Sequence, residues 1–271
     1  WSNEPLARRA LNAQYRLGTI ASGEQIARLA MMEDVPVPLR EEAIRDLIEW
    51  EEPPQLDRVD GMWRPLEKRD TSLSPELLAK VIPGLLKSNS ATVQQSGAQL
   101  ASKHGVKQVG SELLALLRDD KANADARAAA LNALGAVEAD ELKSGIDVAL
   151  DAKSPKLRIA GITQLAKMDP KAATPLLVRA IDKGELGEQQ AAFGALGAVS
   201  GKAAEKALLN WIGKLDSGKA AGNLQVDIIG AAETSSSTKV RESLAAYRAK
   251  FTDNEAIDSW LPALDGGDAT R

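Results

Sequence analysis

Apolar residues recur along this chain at helical spacing, in blocks that repeat. The segments Arg127-Ala-Ala-Ala-Leu-Asn-Ala-Leu-Gly135, Arg158-Ile-Ala-Gly-Ile-Thr-Gln-Leu-Ala166 and Gln189-Gln-Ala-Ala-Phe-Gly-Ala-Leu-Gly197 superpose position for position. Leu131, Ile162 and Phe193 stand 31 residues apart, and Leu134, Leu165 and Leu196 follow in the same register. Earlier copies read at Arg9–Gly18 and Arg40–Ile48, with weaker ones near Gln95–Ala101 and Val226–Ala231. After each comes a polar or glycine break and a second amphipathic segment: Glu24–Met32, Pro75–Lys87, Ser111–Leu117, Leu142–Leu150, Pro170–Ile181, Lys202–Ile212 and Val240–Tyr247. One amphipathic helix cannot bury its own stripe, so such hairpins stack into a shared core. The pattern predicts an all-α solenoid of about seven HEAT-type helical hairpins over residues 1–271, the outer ones ragged.

Local signals support these boundaries. Ser74-Pro75, Ser154-Pro155 and Asp169-Pro170 each place a capping side chain before a proline at the first helical position, where a missing N–H costs nothing. Pro83 and Pro175 fall inside second helices and are expected to kink them or delay their start. Gly18, Gly105, Gly135 and Gly201 are expected at helix ends.

One stretch breaks the period. Residues 51–74 hold several prolines, many charges and no helical pattern. A loop of this length inside a compact domain is commonly functional, and Leu56, Val59, Trp63 and Leu66 give it something to bury. It reads as an ordered insertion between the two helices of one repeat.

Composition narrows the class. Hydrophobic residues make up 44% of the chain but aromatics only 3%, so the core is built from Ala, Leu, Ile and Val. The 34 basic and 38 acidic residues leave a charge of −4, and the pI is near 5.3. That argues against a nucleic-acid partner, which calls for a basic excess. There are no cysteines, which removes disulfides, thiolate zinc sites and cysteine nucleophiles. No apolar run reaches the roughly 18 residues that a membrane span requires. The opening Trp1-Ser2-Asn3-Glu4-Pro5 reads as the start of a processed or excised piece.

The insertion also carries a family resemblance. Arg40-Glu-Glu-Ala43, Trp50, Pro53-Pro54, Asp57-Arg-Val-Asp-Gly-Met-Trp-Arg-Pro-Leu66 and Arg69-Asp70 resemble the HEAT region of the large haem-binding, membrane-associated dehydrogenase-like proteins of planctomycetes and their relatives. Those chains join a β-propeller, HEAT repeats and a cytochrome c domain with a Cys-x-x-Cys-His motif. The segment from Leu261 through Leu264-Asp-Gly-Gly-Asp268 looks like a lead-in to that last module, making 262–271 a linker. No haem or sugar-oxidising residue has a counterpart here. The resemblance implies a non-catalytic spacer and docking segment, extracytoplasmic, with no cofactor of its own. Its partners would be neighbouring domains or another protein.

His104, the only histidine, sits in Ser-Lys-His-Gly at a helix end, where a cation suits the dipole; it reads as a cap. The adjacent pairs Glu41-Glu42, Glu51-Glu52 and Asp119-Asp120 read as solvated, since sequence neighbours on a helix point apart and paired-carboxylate chemistry needs groups facing across a cleft. Asp57–Asp60 and Asp265–Asp268 lack the alternating ligands of a calcium loop, and the loop acids read as ion-pair partners of Arg58, Arg64 and Arg69. Trp50 and Trp63 are expected either to pack together and anchor the loop, the favoured reading, or to leave Trp63, flanked by Met62 and Arg64, as an exposed contact. The candidate interaction loop is therefore Trp50, Arg58, Met62, Trp63 and Arg64.

Three functions compete: a spacer in a multidomain redox protein, a free-standing HEAT adaptor binding a separate protein, and a HEAT-like enzyme such as a bilin lyase or an alkyl-base glycosylase. The enzyme requires an acid beside a tetrapyrrole pocket, or a basic groove with aromatics. Charge and aromatic content disfavour the enzyme, and the family resemblance points to the spacer, with the adaptor as the alternative.

Overall fold

A computed structural model describes residues 3–69 and 72–250 of the chain. Among the described residues there are fourteen α-helices, and the only β-type pairing is one isolated bridge. The helices fall into the seven hairpins that the period predicts: α1 (Glu4–Leu17) with α2 (Ile20–Met31), α3 (Val37–Ile48) with α4 (Pro75–Leu86), and α5 (Ala91–Lys103) with α6 (Gly110–Arg118). Then come α7 (Ala124–Ala136) with α8 (Leu142–Leu150), α9 (Pro155–Met168) with α10 (Pro170–Lys183), α11 (Leu186–Ala198) with α12 (Lys202–Asp216), and α13 (Gln225–Thr234) with α14 (Thr238–Ala249). This is a HEAT-like α-solenoid architecture. The insertion lies between α3 and α4.

The capping chemistry explains several boundaries. Ser74 accepts the Leu77 N–H at 3.1 Å and Asp169 accepts that of Ala172 at 3.0 Å, each starting a helix whose first residue is proline. Gly18 ends α1 in the left-handed region, φ 64°, where a Cβ would be strained. Two expected helix-end glycines sit elsewhere. Gly135 lies within the last turn of α7, and Gly201 precedes α12 at φ 118°. Pro83 and Pro175 fall inside α4 and α10 and delay neither start, since both helices begin earlier at Pro75 and Pro170.

The chain divides into two compact units between Gln164 and Leu165, inside α9. In the first unit, first helices stack on first helices (α1 on α3, α3 on α5, α5 on α7) and second on second (α2 on α4, α4 on α6, α6 on α8). In the second unit α11 packs on α13, and α10 and α14 pack on α12. The repeat positions form the cores. Leu131 and Leu134 are fully buried in the first unit, and Phe193 and Leu196 in the second. Each such side chain contributes about 1.5–3 kcal/mol through burial. Among the described residues no helix is long and apolar enough to cross a membrane. The expected linker over 262–271 lies outside the described residues.

Candidate functional site at the insertion

The insertion folds as a short hairpin. The Asp57 N–H donates to the Met62 carbonyl at 2.8 Å, the Gly61 N–H to the Asp57 carbonyl at 2.8 Å, and the Arg64 N–H to the Gln55 carbonyl at 3.1 Å. Leu56 and Trp63 face each other across an antiparallel bridge. Gly61, at φ +70° with no atom within 4 Å of a notional Cβ, supplies the left-handed turn residue. Buried Asp57 ties the turn together by accepting the Val59 N–H at 2.9 Å and the Asn12 Nδ2 amide at 3.2 Å. The Val59 N–H, followed by Asn12, the Asp60 N–H and Arg16, holds its carboxyl below the usual carboxylate range.

Beneath the hairpin, α3 presents acids on one face. Glu42 and Asp46 are four residues apart and Glu49 follows three later, so all three point the same way. Glu42 and Asp46 are buried. From α1, Arg8 reaches Glu42 at 2.7 Å. From the hairpin, Arg58 donates to both Asp46 and Glu49 while its guanidinium lies 5.2 Å from the centroid of the Tyr15 ring. Burial pushes the Asp46 carboxyl up to about 8, against the pull of Arg58, and it raises Glu42 in the same direction against Arg8. Burial also pushes the Tyr15 phenol up to about 12; its hydroxyl donates to the Glu49 carbonyl at 2.9 Å.

The return strand of the insertion is fixed by Arg69. Its guanidinium sits 4.5 Å from the Tyr15 ring centroid and 4.1 Å from that of Trp50, and it donates to the backbone carbonyls of both residues. Tyr15 and Trp50 meet edge to face, centroids 6.3 Å apart. Arg69 thus closes a stack that joins α1, the end of α3 and the insertion.

Over this ionic layer a cleft of about 500 Å³ opens, lined by Glu4, Pro5, Arg8, Arg9, Glu42, Arg58 and Val59. It places two carboxyls of raised pKa, one lining it and one behind it, under three guanidinium groups. Perturbed acids gathered at a cleft are a common mark of functional sites.

The expected site residues separate. Trp50 is fully buried, whereas Trp63 is 66% exposed. The expectation that Trp63 packs on Trp50 to anchor the loop is corrected: Tyr15 packs on Trp50, and Arg58 and Arg69 do the anchoring. Met62 is exposed beside Trp63. Arg64 pairs with Asp60 at 3.0 Å and with Asp57 at 3.8 Å. His104 caps α5 and also bonds through Nε2 to the Leu47 carbonyl of α3 at 2.8 Å. Among the described residues no cluster of three His, Cys, Asp or Glu could hold a metal; Asp265–Asp268 and Asp70 lie outside them. The expectation that Glu42 is solvated is corrected, since α3 turns it inward beside Asp46 and both are buried; Asp46 carries no signal in the adjacent pairs. The usable signal was acids at i, i+4 on a face that the apolar pattern assigns to the interior.

No family model matches the sequence, and no curated protein matches it. Among solved structures, the chain is similar to a chain of the complex of CpcE and CpcF of phycocyanin lyase from Nostoc. The TM-score is 0.52 at 18% identity, over 91% of each chain. It is also similar to human deoxyhypusine hydroxylase bound to glycerol, with a TM-score of 0.44 at 15% identity over 91% of this chain and 96% of that one. Of these comparisons, the first identifies the HEAT-like fold. They do not support the resemblance to haem-binding planctomycete proteins, which is corrected here together with the redox-spacer role drawn from it. The non-catalytic role implied by that resemblance falls with it, and the same fold, matched nearly end to end, occurs in a lyase complex. The assignment as a non-enzyme is corrected on that ground.

Proposed function

We propose that the chain is a HEAT-like subunit of a lyase-type enzyme that works with a second protein, and that its ligand site is the cleft between α1, α3 and the insertion hairpin. The bilin-lyase reading of the sequence required an acid beside a pocket. The observation that carries the proposal is Glu42, a buried acid of raised pKa lining the cleft, with Asp46 one turn behind it. A carboxyl whose hold on its proton is strengthened by burial is better suited to give that proton to a bound ligand and take it back than a solvated one, as general acid–base chemistry needs. Association with a partner is supported by the similar chain, itself part of a two-protein complex, and by the exposed Trp63 and Met62 on the hydrogen-bonded hairpin.

The test is an absorbance titration of the whole chain with a linear tetrapyrrole, comparing wild type with Glu42→Gln. Wild type is expected to shift the visible band of the pigment, and the glutamine variant to bind while losing the pH-dependent part of that shift. If both proteins leave the spectrum of the free pigment unchanged, the reading fails.

A further inference from the structure

The cleft that carries the proposed function has a feature that specifies its ligand more narrowly, and the inference deepens that reading. Three of its seven lining residues are arginines from two separate elements, Arg8 and Arg9 on α1 and Arg58 on the hairpin. Two are oriented in advance: Arg8 by Glu4 and Glu42, Arg58 by Asp46 and Glu49. Each guanidinium carries five N–H donors, and the carboxylates around these two leave some of them over. Arg9 is exposed and makes no ion pair among the described residues. Four acids face these three guanidinium groups, Glu4, Glu42, Asp46 and Glu49, and burial draws the inner two, Glu42 and Asp46, towards the neutral form, so the outer two are left to answer three positive charges. Fixed guanidinium forks with incomplete compensation match the planar, two-pronged geometry of an oxyanion.

We propose that the cleft binds a small molecule through a carboxylate or phosphate group, gripped by Arg8, Arg9 and Arg58, with Arg9 supplying a charge that no described residue answers. The test is calorimetric titration of the whole chain with succinate and, separately, inorganic phosphate. At least one is expected to bind, and the stronger arm identifies the oxyanion. Arg9→Ala is expected to weaken binding by about tenfold or more, on the scale of one charge-assisted contact, with an unchanged melting curve, and Arg9→Lys to recover part of it. The inference is overturned if neither anion binds below about 10 mM, or if Arg9→Ala binds as wild type does. Pigment is absent from this experiment, so failure of the tetrapyrrole titration and failure here are separate results.

Discussion

Arg69 and Trp50 hold each other in two ways at once. The guanidinium lies 4.1 Å from the centroid of the Trp50 ring, and one of its Nη atoms donates to the Trp50 carbonyl at 2.6 Å. The second Nη serves the Tyr15 carbonyl at the end of α1, so one side chain satisfies acceptors on two segments and stacks on both their rings. Replacing it with alanine leaves both carbonyls without that donor and empties the space between hairpin and helices. Arg69→Ala is expected to lower stability by about 2–4 kcal/mol. Arg69→Lys is expected to recover less than half, because an ammonium cannot span both acceptors. Urea unfolding of the three proteins checks this.

Asp46 sets a pH dependence whose sign follows from burial. Its folded-state pKa, about 8, exceeds its ordinary value of 3.8. Between those values the folded chain therefore holds a proton that the unfolded chain has released, and its contribution falls as pH rises through the window. Below the lower value the contribution is fully present; above the upper one it is gone. Asp46→Asn, which mimics the protonated form, is expected to flatten the decline between pH 4 and 8. Equal slopes for variant and wild type in chemical denaturation would contradict this.

The repeats were legible because periodicity encodes them. Leu131, Ile162 and Phe193 keep one register, and helices that repeat an apolar position at that spacing each turn it to the interior of their own unit. The capping signals at Ser74 and Asp169 placed two helix starts to the residue. What stayed hidden was set by partners far away in sequence. Whether Glu42 and Asp46 are solvated or buried depends on Arg8, thirty-four residues before Glu42, and on Arg58, twelve after Asp46, and no local pattern records those pairings. Trp63 misled for the opposite reason. Its hydrophobicity argued for burial, yet the bridge to Leu56 fixes it on a hairpin that faces solvent. The chemistry was hidden for a third reason: a helical-repeat pattern is the same whether or not a cleft opens beside one repeat.

The two tryptophans give a contrast that separates structure from surface. Trp50 is fully buried and Trp63 is 66% exposed. Trp50→Ala is expected to cost about 3–5 kcal/mol, as large-to-small core changes do, and Trp63→Ala less than about 0.5 kcal/mol. Intrinsic fluorescence supplies a second readout, since removal of Trp63 is expected to lower the share of the emission that added iodide quenches, and removal of Trp50 is not.

A glycine pair tests packing against propensity. Both Gly135 and Gly194 lie inside helices, where alanine is favoured by about 1 kcal/mol. At Gly194 a Cβ meets nothing within 4 Å, so Gly194→Ala is expected to stabilise by most of that amount. At Gly135 a Cβ would land on the Oε1 of Gln164, closer than real contacts allow. Gln164 is buried, and its Nε2 donates to the exposed Asn132 at 2.8 Å, so it cannot swing aside without breaking that part-buried bond. Overpacking of this kind costs about 1–3 kcal/mol, which outweighs the gain in propensity, and Gly135→Ala is expected to destabilise. Adding Gln164→Ala removes the obstacle and the bond together, so the double variant is expected to be more stable than the sum of the single changes. A thermodynamic cycle from urea denaturation measures that coupling, and additivity would mean that the contact at Gly135 is relieved by backbone movement instead.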